Sequence, residues 1–292
     1  MDRAHRPHDR CITEGSGDPR RTLISGAHAV TERRHLPVSV ALGSVGLTAP
    51  DWLVLAGTLA ELPIERVWVW DHLIGRGDPA TPVLEALTLA AAALATYPTL
   101  NVGTLVLDVT KRHPALVAKS VATIASIAPG RFMLGLGAGG DAAEHAALKI
   151  PFGPVDARIA ILADTVAVCR SMLEGDASPR PNPPVPILVA GDHPASIALA
   201  ARSADAWVAP VATFDAGVAA VRERAAQAQR RTPHCYVLQE LKRSESLAAS
   251  PFGLDPAGYL ANLRERGADA AIVTLRSRAD LTDFAALMEH LR

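Results

Sequence analysis

From residue 37 to the C-terminus, short apolar runs alternate with longer stretches in which apolar residues return every three or four positions. The runs cover 38–42, 66–70, 101–106, 131–136, 187–190, 205–209, 235–239 and 270–275. They are too short for buried helices and show no polar alternation, which is the pattern of strands covered on both faces of a parallel sheet. The stretches between them carry the helical period. Helices are predicted over 51–62, 84–97, 114–128, 157–174, 194–202, 214–230, 256–266 and 280–291. Pro114 suits a first turn, Pro129-Gly130 is a stop, Asp156 a cap and Gly175 a closing residue. Eight strands, each followed by a helix, predict an α/β fold with a single (βα)8 TIM barrel over residues 37–292.

Composition changes this picture at one end only. At 292 residues and 49% hydrophobic, the chain has enough apolar material for one barrel. Residues 1–36, with seven arginines, five acids and four histidines and no apolar period, read as a disordered extension without a secretory h-region. Its histidines are irregularly spaced and unsupported by thiols or carboxylates, so no metal site is expected. A formal net charge of −1 and the lack of a basic helix face give no reason to expect nucleic acid. No apolar stretch reaches the length of a membrane span, and the three unclustered cysteines, Cys11, Cys169 and Cys235, fit a reducing cytoplasm. Cys169 shares the apolar face of its helix and is expected in the core rather than as a nucleophile.

In such a barrel the chemistry sits just after each strand, at the C-terminal mouth. The residues there are Gly43-Ser44, Asp71-His72, Leu107-Asp108, Gly137 to Asp141, Gly191 to His193, Pro210, Glu240 and Arg276. The glycine loop Gly137-Ala138-Gly139-Gly140 and the turn Gly191-Asp192-His193 follow adjacent strands and could share a phosphate, because backbone N–H groups approach an anion closely where no Cβ intervenes. The spacing is not the dinucleotide fingerprint, since Ala142 stands where a third glycine is needed. An imidazole can take or give a proton under mild conditions, so His72 is the candidate proton donor or acceptor, with Asp71 beside it to orient backbone or ring. Glu144, at the start of a helix after the glycine loop, is expected to pair with backbone or an arginine rather than to act as a base.

Three phrases carry a resemblance: RHPALVAKSVATI, GRFMLGLGAG and AARSADAWV, in this order, with VWVWDHL before them. Together they resemble the bacterial luciferase-like superfamily of flavin- and deazaflavin-dependent oxidoreductases, from about Val38 to about Val208. The resemblance implies a TIM barrel whose mouth binds the deazaflavin coenzyme F420, favoured here by small loops and a reduced lid, or FMN as the alternative. It places Asp71 and His72 beside the ring and a non-proline cis peptide at Leu105-Val106 against it. It assigns phosphate contacts to Gly137, Ala138, Gly139, Gly140, Gly191, Asp192 and His193. Asp192 puts a carboxylate where some relatives have a small residue. Gly140 stands where the sugar-phosphate dehydrogenases of the family have a glutamate, which argues against that activity. The implied function is hydride transfer to or from a small organic substrate; an FMN-dependent monooxygenase and a non-catalytic ligand-binding barrel are the other readings. A separate flavin or F420 reductase and a homodimer are the partners the resemblance suggests.

Overall fold

The computed structural model describes residues 35–75, 78, 80–175, 179–241 and 245–291. The expected disordered extension falls outside these residues except for its last two, and Cys11 falls outside with it. Leu36 already packs into the core, so the barrel's packing begins one residue before the expected boundary.

The strands are β1 Val38–Leu42, β2 Val67–Val69, β3 Val102–Thr104, β4 Leu107–Asp108, β5 Phe132–Gly137, β6 Ile187–Ala190, β7 Ala206–Pro210, β8 His234–Gln239 and β9 Ala270–Leu275. All ladders are parallel. The order β3-β2-β1-β9-β8-β7-β6-β5-β4, with β3 also paired to β5, closes the sheet on itself. The eight expected strand positions are therefore all present, and the third is in two pieces. Residues 101–106 were expected as one strand; instead the Leu105–Val106 peptide is cis and the ladder breaks there.

Side chains alternate between two buried layers. In β2, Val67 and Val69 join the outer layer under the helices, while Trp68 points into the barrel with Met133, Leu188, Tyr236 and Ile272. Because both faces are covered, the strands carry no polar alternation. Each large side chain sealed this way contributes roughly 1.5–3 kcal/mol.

The helices are α1 Ala49–Ala60, α2 Ala86–Thr96, α3 Pro114–Ile127, α4 Ala142–Ala147, α5 Val155–Glu174, α6 Pro194–Ser203, α7 Phe214–Gln227, α8 Pro251–Leu254, α9 Pro256–Glu265 and α10 Arg278–His290. Several start on a side-chain cap: Thr48, Glu85, His113, His193 and Ser277 each accept a backbone N–H of the first turn. Asp156 is not the cap that the sequence suggested. Helix α5 begins two residues earlier, behind Pro154, and Asp156 lies exposed in its first turn, where it complements the helix dipole and comes within 4.0 Å of His193 Nε2. Helix α4 is the helix expected after the glycine loop, though no period marked its limits, and α8 was not predicted, since it is too short to show one. No helix among the described residues is long and apolar enough to cross a membrane.

Candidate active site

A cavity of about 1250 Å³ opens at the C-terminal ends of the strands. Every residue singled out for the site lines it: Asp71 and His72 after β2, Leu105 and Val106 between β3 and β4, Gly137, Ala138, Gly139 and Gly140 at the end of β5, and Gly191, Asp192 and His193 after β6. The cis peptide falls at the bond the resemblance implied. Of the other strand-end positions, Gly43, Asp108, Glu240 and Arg276 also line the cavity, whereas Ser44 and Pro210 do not. Ser44 is buried and accepts the backbone N–H of Leu84.

The glycine loop is shaped by its neighbours. Gly139 has φ +75°, a conformation that suits glycine, and its Cα lies against the Asp108 carboxylate. A Cβ on Gly137 would press on Val106 Cγ2 at 2.5 Å. A Cβ on Gly140 would meet nothing within 4 Å, so this residue faces open space at the cavity. Arg158, from α5, ties the loop down: Nε donates to Ala138 O at 3.0 Å and Nη1 to Gly153 O at 2.6 Å, while the guanidinium lies 4.0 Å over the Phe152 ring. The hydroxyl-bearing Ser196, in the first turn of α6, is buried on the same wall.

Asp71 does not hold the ring of His72. Its carboxylate accepts both arms of Arg112, at 2.6 and 2.7 Å, and the backbone N–H of Asp108 at 2.8 Å. Arg112 in turn donates to Glu85 at 2.8 Å. Burial works against the Glu85 charge, but the Thr88 N–H and the Arg112 guanidinium hold its carboxyl below the ordinary value. Adjacent residues of an extended segment point to opposite sides, so Asp71 turned to Arg112 leaves His72 facing elsewhere.

The carboxylate that faces His72 is Glu144, with Oε2 at 3.6 Å from Nδ1. Glu144 also accepts Lys111 Nζ at 2.5 Å and the N–H groups of Leu73 at 2.5 Å and Ile74 at 3.2 Å. Burial raises its pKa, yet these donors outweigh burial and hold the carboxyl below the usual range. The expectation that Glu144 pairs with backbone holds, with a lysine in place of an arginine. Lys111 spends a second hydrogen bond on Asp71 O at 2.8 Å, which fixes the backbone next to the histidine. Nδ1 of His72 is buried without a hydrogen-bond partner, while the residue lines the cavity.

Ligand atoms of His72, Asp141 and Glu144 lie within 4.8 Å of one another. A cation there would meet the Lys111 ammonium that already balances Glu144. His145, fully buried, bridges Asp141 O at 2.8 Å and Asp108 Oδ2 at 3.2 Å. Cys169 is a core residue as expected, its thiol pushed up to about 11 by burial, and Cys235 is pushed up to about 12 for the same reason. Neither is a poised nucleophile.

Sequence reasoning passed over Lys111, Arg112 and Trp70. A signal for the two cations existed: Asp108, Lys111 and Arg112 crowd the exit of a buried apolar run, where charge is present for a reason. Trp70 stands edge-on to His72 with centroids 6.5 Å apart, and Arg276 lies over its ring at 5.4 Å.

Residues 39–242 match the model of a family described as luciferase-like monooxygenase. The chain is 32% identical over 177 residues to the F420-dependent glucose-6-phosphate dehydrogenase of Beutenbergia cavernae, a match covering 55% of this chain and 52% of that one. It is 32% identical over 201 residues to the F420-dependent hydroxymycolic acid dehydrogenase of Mycobacterium tuberculosis, covering 63% and 56%. These matches thus take in little more than half the length of the relatives. Among solved structures, an F420-dependent secondary alcohol dehydrogenase in complex with an F420-acetone adduct superposes with a TM-score of 0.73 at 16% identity, over 88% of this chain and 99% of that one.

Proposed function

The chain belongs to the luciferase-like monooxygenase family, and from that premise we propose that its mouth binds coenzyme F420 and that the protein is an F420-dependent oxidoreductase of a small organic substrate. The observation that carries this reading is the glycine loop at the end of β5 lining one cavity with the turn after β6 and with His72. The residues present fit the coenzyme. Gly139 and Gly140 let backbone approach a phosphate, Gly191 and Ser196 offer a second wall, and Leu105 and Val106 give an apolar bed for a flat ring. F420 is favoured over FMN because the curated relatives at 32% identity are named for F420. Sugar-phosphate specificity is not carried over, because Gly140 stands where the resemblance calls for a glutamate.

When bound, F420 supplies a hydride donor or acceptor, and the chain supplies orientation and proton handling. His72 holds or releases a proton at Nε2, since Nδ1 is buried against Glu144. Glu144 faces Nδ1 and stabilises the ring when it is charged, and Lys111 and Arg112 keep Glu144 and Asp71 in place. A separate reductase would restore the coenzyme between turnovers.

Equilibrium titration of the purified protein with F420 and with FMN, followed by ring fluorescence, tests the assignment. Micromolar binding of F420 with at least tenfold weaker FMN is expected, on the order of 1.4 kcal/mol of discrimination. Tight binding of FMN instead would move the chain to the flavin monooxygenase reading, and binding of neither would leave a barrel for another ligand.

A further inference from the structure

Resting on the coenzyme reading above, we infer that Arg276 is the anchor for a carboxylate of the substrate, and that the substrate class is an organic acid with an apolar body. Arg276 follows β9, which pairs with β1 and β8, whereas the glycine loops follow β5 and β6 on the other side of the barrel. It therefore stands apart from the proposed phosphate cradle while lining the same cavity.

Its guanidinium is built in rather than free. Nε donates to Leu241 O at 2.8 Å, the backbone N–H donates to Asp280 Oδ2 at 3.0 Å, and the guanidinium carbon sits 5.4 Å from the Trp70 ring centroid. These contacts fix the plane and leave the Nη pair, two parallel donors that match the two oxygens of a carboxylate.

Two other cations of the cavity are paired with carboxylates, Lys111 with Glu144 and Arg278 with Asp51 at 2.9 Å, and Arg158 is turned to the glycine loop and holds two backbone carbonyls. Among the described residues Arg276 has no ion pair; Glu240, which also lines the cavity, makes none with it. The Asp280 carboxylate serves the backbone N–H groups of Leu247 and Arg276, which also meets the N-terminus of α10. One fixed guanidinium balances one negative charge, which suits a carboxylate better than a phosphate dianion. Apolar surface is at hand in the same lining, with Leu42, Trp70 and Leu275, next to the polar Thr274, Ser277 and Glu240. A group anchored at Arg276 would lay its apolar body along this surface toward His72, since Trp70 contacts both residues.

The test is titration of the F420-loaded protein with hexanoate and with hexanamide, read by coenzyme fluorescence, and of the coenzyme-free protein, read by tryptophan fluorescence. Hexanoate is expected to bind about tenfold or more tightly than hexanamide, the effect of a charge-assisted pair. Arg276→Gln should abolish that preference and Arg276→Lys retain part of it, both with F420 affinity within about twofold of wild type, which also reports that the variants fold. Equal binding of acid and amide, a preference that survives in Arg276→Gln, or inorganic phosphate binding more tightly than hexanoate would each overturn the inference. If F420 does not bind, the coenzyme reading falls, and the coenzyme-free titration still decides the carboxylate site.

Discussion

The two sides of the mouth are built on different principles. Around β2, β4 and β5 the charges interlock: Arg112 with Asp71 and Glu85, Lys111 with Glu144, His145 with Asp108. Most of these groups are buried; the Asp71, Lys111 and Glu144 side chains are only 1–3% exposed. Around β9 and β1 the wall mixes apolar side chains with Thr274 and Ser277, and its charges are the fixed guanidinium of Arg276 and an exposed pair between Arg278 and Asp51. Buried pairs tolerate no missing partner, so the first side holds one geometry. That is what the cofactor and the proton-handling role proposed for His72 would require. The second side fixes little beyond Arg276, and it is there that substrate preference can be set without disturbing the cofactor.

Breaking the interlocked side should cost most. Arg112→Ala leaves the Asp71 carboxylate buried without its counter-charge, and a loss of about 3–5 kcal/mol in denaturant unfolding is expected. A loss below about 1 kcal/mol would show that this side is no more rigid than the other. Glu144→Gln should cost a similar amount at neutral pH by stranding the Lys111 ammonium. Its pH dependence has a definite sign. The carboxyl lies lower in the folded protein than its ordinary 4.5, so its stabilisation is complete above that value and fades as the pH falls through the folded value. The gap between wild type and Glu144→Gln should therefore narrow below about pH 4.5, and a gap constant down to acid unfolding would exclude the ion pair as its source.

Gly140→Ala separates the cradle from the fold. The added Cβ meets no atom of the chain within 4 Å, so stability should change by less than about 0.5 kcal/mol. F420 affinity should fall about tenfold, because the methyl group occupies the space proposed for the phosphate. Unchanged affinity would place the phosphate elsewhere. Arg278→Ala, on the open side, removes a pair whose side chains are 60% and 47% exposed, and only about 0–1 kcal/mol is expected.

The barrel was legible in the sequence because burial on both strand faces writes itself as continuous apolar runs, as in 187–190 and 270–275, whose limits coincide with β6 and β9. The third strand was less so. Val102–Thr104 and Leu107–Asp108 belong to one apolar stretch, and no residue pattern marks the peptide between them as cis; only the family resemblance did. The site's membership was readable from strand ends, but not its wiring. Asp71 beside His72 suggested a pair, yet neighbours in extended backbone diverge, and the carboxylate that reaches the ring comes from Glu144, far along the chain. Such contacts depend on barrel closure and leave no local trace.

The position of the coenzyme relative to His72 is best tested by the imidazole NMR resonances of the protein during F420 titration. Saturating F420 should shift the His72 signals, while His234 and His290, which lie exposed and line no part of the cavity, stay in place. A His72 signal unmoved at saturation would contradict the placement of the coenzyme in this mouth.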